Sequence, residues 1–251
     1  MQLACKNLTV SYHHHPAIHH LTCDFKIGTT TAIVGSNGAG KSTLLKAILG
    51  ELKPDTGEII IQGINKKDIA YLPQSIELDN LLPLSVSDVI LLGSWHTIGL
   101  FDKVNYDSQL LVNDCLEQVG LSGFNKRFIH ELSKGQLQRV YFARIIMQQA
   151  SIIILDEPFN AIDSKTITDI QQIIKKWHQQ GKTVIAVLHD LQQVVASFEY
   201  TLLLAKELIS YDKTALVLNK ENLSKAYSNN FLWLDNNFCR FEENPNTSSS
   251  F

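Results

Sequence analysis

The hydrophobic positions of this chain change their period several times, and each change marks an element. LACKNLTVSY reads as a strand, and HLTCDFKIGTTTAIVGS as two more with a turn at Gly28. TTTAIVG is β-branched and apolar, which suits a buried strand. STLLKAILG then takes a helical period, with Leu44, Leu45, Ile48 and Leu49 on one face and Gly50 as its stop. LKPDTGEIIIQG reads as turn, strand, turn. From about Tyr71 to Ala150 the character shifts to helices: DVILLG and YDSQLLVNDCLEQVG, the latter with Leu111, Cys115 and Val119 spaced by four. SIIILDEP is a continuous apolar strand ending in two carboxylates. Residues 163–180 are amphipathic, with Ile167, Ile170, Ile174 and Trp177 on one face, and KTVIAVLHD is another buried strand. Fully apolar strands alternating with helices predict an α/β fold with a parallel sheet covered on both faces. The last ten residues, EENPNTSSSF, read as a polar, disordered tail at 242–251, leaving one domain over 1–241.

Composition narrows the class. With 251 residues, 45% hydrophobic and 19% charged, the chain can bury a large core. A formal net charge of −3 points away from a nucleic-acid partner. Cys5, Cys23, Cys115 and Cys239 form no CxxC pair and read as reduced, buried thiols. MQLACKNLTV lacks the features of a signal peptide, and no apolar run reaches the ~20 residues of a membrane helix. The expectation is a soluble intracellular chain that reaches a membrane only through a partner.

The chemistry starts at GSNGAGKST, comprising Gly35, Ser36, Asn37, Gly38, Ala39, Gly40, Lys41, Ser42 and Thr43. It matches G-x-x-x-x-G-K-[ST] between a strand and a helix. Glycines let backbone N–H groups turn inward around phosphate oxygens, and the helix N-terminus adds its positive end. Lys41 should reach the β- and γ-phosphates and Ser42 should ligate Mg²⁺. At the end of SIIILDEP, Asp156 is placed to hold Mg²⁺. Glu157 faces the other way and is placed to orient and polarise the attacking water. NKKD, Asn65 to Asp68, resembles a guanine-reading motif but follows Lys41 by only 24 residues. It reads as a solvated loop.

LSKGQLQRV, Leu132 to Val140, decides the class. Together with GSNGAGKST and IIILDEP, in that family's order, it makes the chain resemble an ATP-binding cassette ATPase over nearly its whole length. The resemblance implies a phosphate-loop NTPase core, an antiparallel β subdomain and an inserted α-helical subdomain at about 75–150. It implies that Tyr12, 23 residues before Gly35, stacks on adenine. Gln74 would touch Mg²⁺ and water and sense a membrane partner. FNAID, Phe159 to Asp163, would cross a dimer interface, and His189 would contact the γ-phosphate. Ser133, Gly135 and Gln136 would cover the ATP held by a second copy in a head-to-tail homodimer. Independently of family, Ser133 and Gly135 open a helix, which is a second anion-binding end in a chain with a single phosphate loop. Lys134 departs from the family's L-S-G-G-Q and reads as a tolerated surface change or, alternatively, as positive charge near the phosphate that strengthens closure.

YLPQSIELDNLLPLSVSDVILLGSWHTIGLF, Tyr71 to Phe101, is similar to the matching region of zinc and manganese importers, and in part to importers of ferric siderophores and haem. The expectation is the ATPase subunit of a divalent-metal importer, zinc or manganese. It would sit on the cytoplasmic face of the membrane through permease subunits and be served indirectly by an exported solute-binding protein. The rival readings are a siderophore or haem importer and a non-transport cassette. A ribosome-acting cassette protein usually carries two phosphate loops, and a DNA-repair cassette would carry a long coiled-coil insertion; neither is present. HHHPAIHH, His13 to His20, holds five of the nine histidines. It reads as an exposed loop before the next strand, since Pro16 forbids a regular central strand. A second possibility is a zinc site beside Tyr12 that feeds back on nucleotide binding.

Overall fold

A computed structural model describes residues 2–12, 15–74, 83–94 and 106–228. The tail at 242–251, Cys239, His13, His14 and much of the importer-like stretch (75–82 and 95–101) lie outside the described residues. The described strands are β1 (Gln2–Tyr12), β2 (His15–Phe25), β3 (Thr30–Val34), β4 (Thr56–Gln62), β5 (Ile69–Leu72), β6 (Ile152–Asp156), β7 (Thr183–Val187), β8 (Tyr200–Ala205) and β9 (Glu207–Lys213). The helices are α1 (Lys41–Ile48), α2 (Val86–Leu91), α3 (Tyr106–Gln118), α4 (Lys134–Gln148), α5 (Ser164–Gln179), α6 (Leu191–Ser197), α7 (Thr214–Val217) and α8 (Lys220–Ser228).

These strands form two sheets. One is antiparallel, in the order β2-β1-β4; the other has the order β5-β6-β7-β3-β8-β9, parallel except for β9. The central strands β3, β6 and β7 are buried at every position. Their side chains alternate between two cores, which is why they read as unbroken apolar runs. Ile33, Ile152, Ile154, Ile185 and Val187 pack with Leu44, Leu45 and Ile48 of α1 and with the antiparallel sheet. Ala32, Val34, Ile153, Leu155, Val184 and Ala186 face the other core, with Phe142 and Trp177. Those two rings stack at 5.6 Å between centroids and join α4 to α5. The described stretch between β5 and β6 contains only helices and turns, apart from an isolated bridge between Ser85 and Phe128.

The histidine segment corrects one expectation. His15 to His20 are not a loop but the first half of strand β2. Pro16 is accommodated because β2 is an edge strand, so its missing N–H breaks no ladder on the outer side; Pro16 stands opposite Ser11. His19 Nδ1 lies 3.0 Å from Glu207 Oε1, and His20 Nδ1 lies 2.7 Å from Asn7 Oδ1. Among the described residues no three His, Cys, Asp or Glu side chains gather as a metal site.

The cysteine expectation is met where it can be seen: Cys5, Cys23 and Cys115 are free and buried. Cys5 and Cys23 face each other across β1 and β2, and their hydrogen bond and burial push the Cys23 thiol upward. The NKKD stretch is a turn closed on itself. Asp68 Oδ2 accepts from the Asn65 backbone N–H at 2.8 Å and from Asn65 Nδ2 at 3.2 Å, so the carboxylate a guanine reader would need is already used.

Candidate functional site

The parallel strands carry the site on their carboxyl ends, where open α/β sheets place ligands. The phosphate loop follows β3, Asp156 ends β6 with Glu157 next, His189 follows β7, and Gln74 follows β5. The order β5-β6-β7-β3 makes these four strands consecutive neighbours, so residues 41, 74, 157 and 189 converge. An open cleft of about 410 Å³ is lined by Asn37, Gly38, Gly40, Lys41, Ser42, Thr43, Gln74, Glu157 and His189.

The loop's backbone is pressed against the fold on two sides. A Cβ on Gly35 would lie 2.1 Å from the Leu204 carbonyl oxygen, and one on Gly40 would lie 2.3 Å from that of Ala17. Gly40 also has φ +96°, which β-carbon-bearing residues rarely adopt. It caps α1 without a side-chain hydrogen bond, so the helix opens with N–H groups directed at the cleft. The backbone N–H of Lys206 donates to Ala39 O at 3.0 Å, and Lys206 O accepts from the His19 N–H at 2.8 Å. The histidine strand therefore braces the back of the phosphate loop.

Lys41 is buried, and its Nζ donates to Gly35 O and Ser36 O, both at 2.9 Å. The ammonium curls over the loop's own carbonyls, at the position a phosphate chain would compete for. Burial holds its pKa below the usual lysine range, with Glu157 and then Asp156 opposing.

The two carboxylates occupy different environments. Asp156 is 4% exposed, and burial raises its pKa, while a hydrogen bond from Ser42 works the other way. Its Oδ1 is buried without a hydrogen-bond partner. Glu157 turns away through a left-handed backbone, φ +50°. Its Oε1 lies 2.6 Å from His189 Nε2, and its Oε2 accepts from Gln74 Nε2 at 2.8 Å and Asn160 Nδ2 at 3.3 Å. One side chain faces the phosphate loop and the other a polar cage. A buried carboxylate oxygen without a partner costs stability. Asp156→Asn should therefore raise the melting temperature in nucleotide-free, Mg²⁺-free buffer by about 2–4 °C, on the order of 1 kcal/mol, while lowering ATP turnover. A melting temperature below the parent's would show that Asp156 stabilises the protein under those conditions.

Two parts of the expected set stand apart from the cleft. Tyr12 ends β1, is 44% exposed and is not among the described lining residues. Ser133, Gly135 and Gln136 stand at the start of α4 and are not among the lining residues of the cleft. Ser133 Oγ accepts from the Gln136 N–H at 3.2 Å, and Gln136 Oε1 accepts from the Ser133 N–H at 3.0 Å, a reciprocal cap. Lys134 is exposed in the first helical turn. The Asn160–Glu157 contact and the brace from Lys206 had no sequence signal, since each depends on a tight turn or a long-range approach.

A family model described as "ABC transporter" matches residues 18–160. The manganese transport system ATP-binding protein MntB of Listeria monocytogenes is 40% identical over 226 residues, covering 88% of this chain and 94% of the relative. MntB of Bacillus subtilis is 38% identical over 232 residues, covering 91% and 93%. A solved structure described as an inward-facing metal-chelate type ABC transporter superposes with a TM-score of 0.80 at 30% identity, covering 90% and 89%. A dimeric ATP-binding cassette in a post-hydrolysis state with ADP and Pi superposes with a TM-score of 0.72 at 29% identity, covering 84% and 98%.

Proposed function

We propose that this chain, which belongs to the ABC transporter family as an ATP-hydrolysing subunit, drives the import of manganese ions. The observation that carries the metal is the likeness to the MntB proteins over nearly their full length, at 38–40% identity. It narrows the zinc-or-manganese expectation to manganese. Among the described residues no helix is long and apolar enough to cross a membrane. In this reading the chain works at the cytoplasmic face as a homodimer bound to membrane permease subunits, and an exported binding protein delivers the ion. The helical region at about 75–150 acts as the subdomain that meets the permease, within a single cassette over 1–241.

The residues divide the reaction as follows. The N–H groups of residues 38–43 and the ammonium of Lys41 bind the β- and γ-phosphates once Lys41 releases the Gly35 and Ser36 carbonyls. The Ser42 hydroxyl and the unpaired Asp156 oxygen form a pair of hard oxygen donors suited to Mg²⁺, with Gln74 as a further ligand. Mg²⁺ held there would neutralise charge on the phosphates. Glu157 orients the attacking water and accepts its proton, and His189 moves from Glu157 toward the γ-phosphate. Tyr12 stacks on adenine. Ser133, Gly135 and Gln136 of a second copy cover the nucleotide. Moving closure from 1:99 to 99:1 takes about 5.5 kcal/mol, which two nucleotides share, and hydrolysis withdraws it.

Deleting the gene for this chain should abolish high-affinity uptake of radioactive manganese, and Glu157→Gln expressed in its place should not restore it. Unchanged manganese uptake with loss of zinc or chelated-iron uptake would replace the proposed solute.

A further inference from the structure

Helix α4 holds both approaches to Glu157. Near its start, Gln138 Nε2 donates to Pro158 O at 2.9 Å, one residue past Glu157. Further on, Arg144 Nη2 donates to Tyr71 O at 2.8 Å, three residues before Gln74, and Gln148 Nε2 donates to Ile69 O at 3.0 Å. Gln74 in turn donates to the Glu157 carboxylate. Arg144 sits there despite burial that disfavours its charge, and its Nε is buried without a hydrogen-bond partner. A half-buried guanidinium that grips a backbone carbonyl is costly as a stabilising device, and its contact here is with the end of β5. Glu157 itself has a left-handed backbone, and its N–H donates to Val187 O at 3.1 Å. Gln138 pins the carbonyl of the next residue, Pro158, and so holds the turn that follows Glu157.

We propose that Gln138 is a positioning residue through which α4 passes the engagement of its own N-terminus on to Glu157 of the same chain. The proposal rests on the reading that Ser133 covers a nucleotide held by a second copy. Gln138 lies five residues from Ser133 on a continuous helix, about 7.5 Å along the axis, so a shift of the helix start is delivered to the Pro158 carbonyl nearly undamped. Displacement of the Pro158 carbonyl moves the turn that follows Glu157, and the rigid proline ring passes that movement back to Glu157. The Arg144–Tyr71 bond carries the same displacement to Gln74 on the other side of the carboxylate. Closure at one nucleotide would thereby ready the carboxylate at the other, with no contact between Gln138 and either nucleotide.

The test uses the full-length chain with Gln138→Leu, which removes the donor, and Gln138→Lys, which keeps an N–H donor within reach. Gln138→Leu should lower kcat roughly tenfold with KM within about twofold, and should bring the Hill coefficient for ATP toward one. Melting temperature and ATP-driven dimer formation in the Glu157→Gln background should match those without the Gln138 change. Gln138→Lys should recover most of the rate. Parental kcat in Gln138→Leu overturns the relay, as do equal defects in the Leu and Lys variants or a rate loss that tracks lost nucleotide affinity. If Glu157→Gln alone forms no dimer with ATP, the two-copy reading falls and the relay with it. If that dimer forms and Gln138→Leu turns over like the parent, only the relay is overturned.

Discussion

Glu157→Gln should lower ATP turnover by about 100- to 10 000-fold, the range for losing a positioned general base, while ATP still binds. The amide keeps the shape of the carboxylate, so the contacts to Gln74, Asn160 and His189 can rearrange within the same cage. What it loses is the capacity to accept a proton from water. Removing a negative charge beside the phosphates also favours the nucleotide-bound form, so the variant should accumulate as an ATP-held dimer. Single-turnover hydrolysis of labelled ATP measures the first effect, and size-exclusion chromatography with ATP measures the second. Turnover within threefold of the parent would remove Glu157 from the base role and leave His189, the nearest group to it, as the alternative.

Gly40→Ala should damage both the fold and nucleotide binding. The added carbon would lie 2.3 Å from the Ala17 carbonyl and 3.0 Å from Ile18 Cγ1, on a residue with φ +96°. Neither backbone can yield cheaply, because Ala17 belongs to β2 and Gly40 is the cap of α1. Left-handed backbone and steric displacement together cost about 2–4 kcal/mol, so the melting temperature should fall roughly 5–15 °C. Nucleotide affinity should fall by at least about 100-fold, since two misplaced charge-assisted hydrogen bonds lose ~1.5–3 kcal/mol each. Thermal melting and equilibrium binding of a fluorescent ATP analogue check the two effects separately. A variant that melts like the parent would mean that β2 can move away from the loop, and the brace described here would be wrong.

The same residues show how far reading the chain alone reaches. The phosphate loop was legible because its demands are local: glycines where a Cβ would collide, a lysine within reach, a helix start. The acidic pair was legible because an apolar run ending in two carboxylates exposes only its end. HHHPAIHH was misjudged because proline was weighed as a breaker before it was known that the strand lies at a sheet edge. Gln138 and Arg144 carried no signal, since a polar residue on an amphipathic helix reads as solvent-facing until its partner carbonyl is in place.

By itself the sequence determined the identity and local geometry of each chemical unit: a loop shaped for phosphates, a buried carboxylate beside a turned-out one, a capped helix start at Ser133. Only the tertiary structure decided that these units meet, and how. Strands β5, β6, β7 and β3 are neighbours although β5 and β7 are separated by more than a hundred residues, and that order alone brings Gln74, Glu157, His189 and Lys41 to one cleft. The physical reason is that periodicity records which face of a strand is buried but not which strand it pairs with. Every central strand here is apolar on both faces, so its neighbours are selected by packing and register across the whole sheet, which leave no mark within any one segment.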